Sequence, residues 1–325
     1  MDEIIENKEI IRHPELTELD EMKTMWKSTF GDSDEYVDLV LDNYFNPMNS
    51  LVCTVDSKIV AVLHGIVYSF RSGDGLDANL KGLYLCGLST QVDMQGRGIM
   101  GRMIKDIENI AISRDYNFLF LIPADDHLRR YYTKFGFVDS AYLRRLYVSY
   151  PDNIQCFQKC IQSLFLTTEE ADNSNCLRDI CDMHSVGYKY INSFSELCLI
   201  GLDELIEKCM NAERDAYECR IIHSRKDWEI IFEEHFLSGG KAVYFKHGLD
   251  EILLLLKSDS EVIKLFPKCR SVEDDCRFID SLKFVECVKM AEVSKYGMVK
   301  FLKDNPAESG LNIIGSEVHF SLMLD

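Results

Sequence analysis

Between residues 16 and 29, Leu16, Leu19, Met22, Met25 and Trp26 recur at the three- and four-residue spacing of a helix with one apolar face. Gly31 ends that pattern, and a second helix is expected from Asp34 to about Tyr44. The run "LVCTVDSKIVAVLHGIVYSF" (51–70) is rich in β-branched and aromatic residues on both sides of Asp56-Ser57, which predicts a hairpin. A polar, glycine-bearing loop (71–79) leads into the strand "LKGLYLCGLST" (80–90). After a glycine-rich segment, Met100, Met103, Ile104, Ile107 and Ala111 mark one helical face. "NFLFLI" (117–122) is apolar without alternation, as expected of a strand covered on both faces. Pro123 ends it. Asp125 or Asp126 can cap a short helix carrying Leu128, Tyr131, Tyr132 and Phe135, which Gly136 stops. Residues 137–150 supply one more strand pair.

The order is helix, helix, hairpin, long strand, glycine turn, helix, buried strand, short helix, strand. It predicts an α/β (α+β) domain over 1–150 whose sheet is mixed, antiparallel first and parallel near the glycine turn. Pro151 is the expected edge. Residues 151–220 read as a mostly helical connecting region. From 221 to 325 a further domain is expected. Ser224 and Asp227 form a capping-box pattern ahead of "WEIIFEEHF", Gly239-Gly240 breaks that helix, and "KAVYFKHGLDEILLLLK" reads as a hairpin. A helix near 271–283 and the strand "KFVECVKM" follow. Helix, hairpin, helix, strand repeats the first half in outline without its glycine turn.

Composition narrows the function classes. The 325 residues are 46% hydrophobic and 28% charged, a globular balance. No apolar run reaches the roughly 18–20 residues that span a bilayer, and "MDEIIENKEI" lacks the pattern of a secretory signal. A cytoplasmic protein with no membrane partner is the expectation. A net charge of −18 repels a phosphate backbone, so no nucleic-acid partner is expected, whereas a cationic amine would be attracted. The 12 cysteines contain no C-x-x-C pair. Cys53, Cys86 and Cys287 sit in apolar runs as small hydrophobes, and Cys156, Cys160, Cys176 and Cys181 are off-pattern for zinc, so no metal is expected.

The chemistry concentrates in "QVDMQGRGIMGRMI" (91–104). Gly96-x-Gly98-x-x-Gly101 fits a dinucleotide fingerprint, the alternative being a dinucleotide-dependent oxidoreductase. That fingerprint needs a strand running straight into its first glycine at the start of a fold. Here the strand ends near Thr90, "QVDMQ" intervenes, and an antiparallel hairpin lies upstream. The overlapping Gln95-x-x-Gly98 fits an acyl-CoA diphosphate turn instead. A helix start offers unpaired N–H groups and the positive end of the dipole, and Gly96 and Gly98 leave the backbone approachable.

With these flanks, residues 1–150 resemble the GCN5-related N-acetyltransferase (GNAT) superfamily. Gln95, Gly96, Arg97, Gly98 and Ile99 match its central motif; Met100 stands where Gly or Ala is usual, and Gly101 comes one place late. "LIPADDHLRRYYTKFGF" resembles its second element through Tyr132, Gly136 and Phe137. A bulky residue at the Met100 position, and a second, smaller, degenerate GNAT-like domain, are features of the enhanced-intracellular-survival branch, which the chain resembles in layout.

The resemblance implies acetyl-CoA as cosubstrate and transfer of an acetyl group to a primary amine, on a small cation or a lysine, by direct attack. The amides of Gln95, Gly96, Arg97, Gly98, Ile99, Met100 and Gly101 would cradle the diphosphate, with Arg97 and Arg102 at the rim. Backbone groups of Leu88, Ser89 and Thr90 would pair with the pantetheine arm, an amide near Leu88 would hold the thioester oxygen, and the strand 117–122 would splay away. Tyr132 would protonate the departing thiolate. Asp125 stands where an Asn often touches the cofactor. His64 and Asp325, the latter through side chain and α-carboxylate, are the candidates for the base. The second domain would shape the acceptor pocket and support a homo-oligomer. A catalytically weak acyl-CoA sensor or scaffold is the further alternative.

Overall fold

The computed structural model describes residues 9–71, 80–140, 142–143, 146–148, 187–215, 220–247, 250–257, 261–266, 288–290 and 294–302. In chain order the strands are β1 (Glu9–Arg12), β2 (Leu51–Val55), β3 (Lys58–Arg71), β4 (Leu80–Thr90), β5 (Phe118–Leu121), β6 (Val138–Asp139), β7 (Tyr142–Leu143), β8 (Leu146–Val148), β9 (Gly187–Ile191), β10 (Arg220–Ile222), β11 (Lys241–His247), β12 (Asp250–Leu256), β13 (Glu261–Phe266), β14 (Val288–Met290), β15 (Ser294–Lys295) and β16 (Met298–Phe301). The helices are α1 (Leu19–Phe30), α2 (Asp34–Tyr44), α3 (Ile99–Ser113), α4 (Asp126–Thr133), α5 (Phe194–Cys198), α6 (Leu202–Asp215) and α7 (Arg225–Leu237).

Local chemistry sets the element ends. Gly31 closes α1 in the left-handed region at φ 76°, where a side chain is disfavoured. The Ser33 side chain accepts from Tyr36 N to start α2. Asp56 and Ser57, at φ 50° and 64°, make the tight turn between β2 and β3 that the sequence predicts. Ser224 and Asp227 form the expected capping box at α7.

The chain divides into two compact units, and the division is not sequential. The first comprises 1–142, 218–222 and 295–322; the second comprises 143–217, 223–294 and 323–325. This differs from the expected borders at 150 and 220. The reason is strand pairing: β10 joins β3, and β16 lies between β5 and β6. A strand of three or four residues on its own carries too short a pattern to announce such a return.

In the first unit the sheet runs β1-β2-β3-β4-β5-β16-β6. It is antiparallel from β1 to β4, and β4 and β5 pair in parallel, so the expected mixed sheet is present. One face packs on α3: Leu63, Leu83, Leu85, Leu119 and Leu121 meet Met103, Ile104, Ile107 and Ala111. The alternate residues face α1, where Val52, Ile59 and Val62 meet Met22 and Met25. Burying each such side chain contributes about 1.5–3 kcal/mol, which makes these two layers the main support of the site.

In the second unit β14, β8, β13, β12, β11 and β9 form an antiparallel sheet. The expected hairpin is β11–β12. Residues 187–191 are a strand, not part of a helical stretch, because they pair with β11. The expected strand pair over 137–150 is also corrected: β6 belongs to the first sheet, while β8 pairs in the second. Trp228, Ile231 and Phe232 give α7 a buried face. The proposed helix near 271–283 and the tail with Asp325 lie outside the described residues.

Candidate functional site

Three features converge where β4 ends. The first is a break in the ladder. Val62 pairs with Ser89 and His64 with Cys86, so one residue of β3, Leu63, faces two of β4, Gly87 and Leu88. Gly87 sits at φ 58°, and a Cβ there would lie 2.5 Å from the Trp26 ring and 2.8 Å from His64. This is a bulge that only glycine fits, and it re-aims the backbone around Leu88.

The second feature is an open edge. The parallel pairing of β4 with β5 ends at Tyr84–Phe120, whereas β4 continues to Thr90. Among the described residues, no strand pairs with the β5-facing edge of residues 85–90. Leu88, Ser89 and Thr90 lie on that stretch.

The third feature is the turn into α3. Gln91 is anchored to β3, its N–H to Val60 O and its side chain to Ile59 O, each at 2.9 Å. The Gln95 side chain donates to Thr90 O at 3.1 Å. Gly96 and Gly98 occupy the left-handed region at φ 76° and 73°. A Cβ on Gly96 would meet nothing within 4 Å, so the backbone is open there. Gly98 is the N-cap of α3 and makes no side-chain cap bond. The first bond closed there is Arg102 N–H to Gly98 O at 3.2 Å, which leaves the preceding amides as a helix start without an intrahelical acceptor. With the helix dipole behind them, these N–H groups suit an anion such as a diphosphate.

Around this turn, side chains take several jobs. Ile99 is core, and Met100 packs partly buried against the same cluster. Gly101 serves packing rather than approach: a Cβ there would lie 2.9 Å from Phe135. That contact seats α4 on the first turn of α3. Arg97 donates to Asp93 O at 3.2 Å. Arg102 donates to Arg97 O at 3.1 Å and pairs with Glu9. Sequence reasoning places both arginines at the rim as free charge and misses Glu9, because β1 carries too short a pattern to announce itself.

Tyr132 lies on α4, buried against Tyr131 and Phe137 with ring centroids 5.4 and 6.0 Å away. Burial, with a smaller contribution from Tyr131, pushes its pKa well above that of a free phenol. The phenol is therefore protonated at neutral pH and can donate. Asp125 caps α4 through one carboxylate oxygen, Oδ1, which accepts from Leu128 N at 2.7 Å.

His64 is a poor fit to a base. It is 2% exposed, packed against Trp26 and Phe45 with centroids 5.5 and 6.2 Å away. Neither ring nitrogen, nor the buried Ser89 Oγ, has a hydrogen-bond partner among the described residues. Burial pulls the imidazole pKa down to about 3, so accepting a proton there is costly. Asp325 lies outside the described residues.

No group of His, Cys, Asp and Glu that could hold a metal ion occurs among the described residues. Nor does any helix among them have the length and apolarity to cross a membrane. The dinucleotide alternative loses its context, since β4 is antiparallel to β3 and a short helical turn at Val92–Met94 separates it from Gly96.

The sequence model of the family described as "Acetyltransferase (GNAT) domain" matches residues 10–138. No curated protein matches the sequence. Among solved structures, the chain is similar to a probable N-acyltransferase from Enterococcus faecalis, with 9% identity over 91% of this chain and 73% of that one and a TM-score of 0.59. It is also similar to Eis1 from Mycobacterium abscessus (9%, 94% and 76%, 0.60) and to a GCN5-related N-acetyltransferase from Kribbella flavida (11%, 90% and 71%, 0.53). At these identities the likeness is one of fold. The family performs acyl-CoA-dependent acyl transfer, with acetyl-CoA as its cosubstrate. The mixed sheet, the glycine turn at the end of β4 and the matched sequence agree, and residues 10–138 of this chain are a GNAT acetyltransferase domain.

Proposed function

We propose that this protein is an N-acetyltransferase that moves an acetyl group from acetyl-CoA to a primary amine, on a small cation or an exposed lysine. The observation that carries the reading is the uncapped, glycine-lined start of α3, joined by the short turn at Val92–Met94 to the edge of β4 that no strand among the described residues pairs with. In this reading the amides of Gly96, Arg97, Gly98, Ile99, Met100 and Gly101 hold the diphosphate, while the Gln95 N–H already donates to Val92 O at 3.3 Å and shapes the turn instead. Backbone groups of Leu88, Ser89 and Thr90 align the pantetheine arm along the free edge. Acetyl-CoA supplies the activated acyl thioester. The re-aimed backbone at the Gly87 bulge holds the thioester oxygen near the Leu88 amide, in the manner of an oxyanion site. Tyr132, kept protonated by burial, supplies a proton to the thiolate side. The acceptor must lose a proton to expose its lone pair. His64 is unsuited to take it directly, and the carboxylates of Asp325 remain the proposed acceptor. The net charge of −18 favours a cationic acceptor.

The neutral, buried state of His64 also favours a second reading, a domain that binds acyl-CoA with little turnover. One experiment separates them. Thiol release from acetyl-CoA is followed across putrescine, spermidine, an aminoglycoside and a lysine peptide, with wild type and Tyr132→Phe. Transfer predicts turnover of at least one amine, lost by roughly 100-fold or more in the variant with acetyl-CoA binding retained. Tight binding without amine-dependent release would establish the second reading.

A further inference from the structure

One arginine links α4 to two other segments of the first unit. Arg129 lies one turn before Tyr132, and its side chain is 12% exposed. Its Nη1 donates to Asp139 Oδ1 at 2.5 Å, tying α4 to β6. Its Nη2 donates to Lys295 O and Tyr296 O, both at 3.3 Å. Lys295 Nζ lies 2.7 Å from the other Asp139 oxygen. Two residues after Tyr296, β16 begins and pairs with both β5 and β6.

The other contacts of α4 are of a different kind. Tyr131 stacks on Phe135, Phe135 meets Gly101, and Tyr132 packs on Phe137. Such ring contacts are broad in angle and tolerate sliding. The planar guanidinium is directional: besides Asp126 of its own helix, 3.7 Å from Nε, it reaches the Asp139 carboxylate and two carbonyls at once. It therefore sets the register of α4 against β6 and the approach to β16. Burial tends to raise the pKa of Asp139, but the hydrogen bonds from Lys295 and Arg129 outweigh it, so the partner stays ionised.

We infer that Arg129 is a positioning residue for Tyr132, holding the α4 phenol in place through Asp139 and the Lys295–Tyr296 backbone. The inference rests on the reading of Tyr132 as proton donor. Segment 295–301, far from the motifs in sequence, thus serves the site through the arginine and not only through its strand.

A double-mutant cycle tests this, using the full chain, acetyl-CoA and whichever amine of the panel turns over fastest. Arg129→Met keeps the apolar stem and removes the donors. It should lower kcat about tenfold while leaving the KM and Kd for acetyl-CoA within about twofold. Arg129→Lys, which keeps the charge opposite Asp139, should recover part of the loss. In a Tyr132→Phe background, Arg129→Met should cost no more than about twofold further, because the group it positions is gone. A full tenfold additional loss there, an unchanged kcat in Arg129→Met alone, or a loss confined to acetyl-CoA affinity would overturn the inference while leaving Tyr132 as donor. If Tyr132→Phe keeps full activity, the donor reading itself fails and Arg129 falls with it. Should Arg129→Met not fold, Arg129→Lys runs the same cycle, with a smaller loss of kcat, at least about threefold, that should vanish in the Tyr132→Phe background.

Discussion

Lowering the pH should destabilise the first unit through a single buried ring. His64 has a pKa near 3 in the folded protein against an ordinary 6.5, because burial disfavours its cation. Between these values the unfolded chain binds a proton that the folded chain refuses, so stability falls as pH drops below about 6.5 and continues to fall towards pH 3. Linkage gives almost no penalty at pH 7.5 and about 2 kcal/mol at pH 5, since 1.5 pH units below the unfolded pKa are each worth about 1.4 kcal/mol. That is a sizeable part of a typical 5–15 kcal/mol. The assay is urea unfolding at pH 7.5, 6.5, 5.8 and 5.0 for wild type and His64→Leu, a substitution that suits the apolar nest of Trp26 and Phe45. The difference between the two proteins cancels the other titrating groups. It should shift by about 2 kcal/mol towards the variant from pH 7.5 to 5.0. Parallel pH curves, or a His64 ring resonance that titrates near pH 6.5 in the folded state, would show that the folded ring takes up its proton freely and that burial does not hold it neutral. The same low basicity predicts that no inflection near pH 6.5 in the rate profile belongs to His64.

Gly98→Ala places a Cβ at φ 73°, a conformation that costs an L-residue about 1–2 kcal/mol, so the turn should relax and the Kd for acetyl-CoA should rise roughly tenfold by calorimetry; an unchanged Kd would remove the turn from the binding site. Gly96→Ala carries similar strain in open space, so a binding loss larger than its loss of stability would report a ligand lying against that backbone. A fragment covering residues 1–150 lacks β16 and with it the buried Met298 and Val299, each contributing about 1.5–3 kcal/mol. It should give poorly dispersed amide resonances and no cooperative melt, and a native-like spectrum from that fragment would contradict the role assigned to β16.

Much of the first unit was legible because its signals are local. The helical spacing of Met22, Met25 and Trp26, the Asp56-Ser57 turn, the Gly31 and Gly136 stops and the Asp125 cap each act within a few residues. The glycine turn was legible for the same reason, since left-handed φ at Gly96 and Gly98 is a property those residues bring with them. Less was readable where a role depends on neighbours. Gly101 reads as part of a phosphate motif yet makes room for Phe135. Nothing in "SKYGMVKF" (294–301) declares that it sits between β5 and β6.

The order of elements from α1 to α4, the mixed sheet and the place of the glycine turn follow from the amino-acid sequence alone, because propensity, periodicity and capping are short-range. Three outcomes needed the folded chain: the first unit takes in β10 and β16 from later in the sequence, His64 is sealed into an aromatic nest as a neutral ring, and Arg129 grips Asp139 and the Lys295–Tyr296 backbone. These outcomes depend on burial and on pairing between segments more than 150 residues apart, such as Arg129 with Tyr296. Desolvation and strand register exist only once those segments meet.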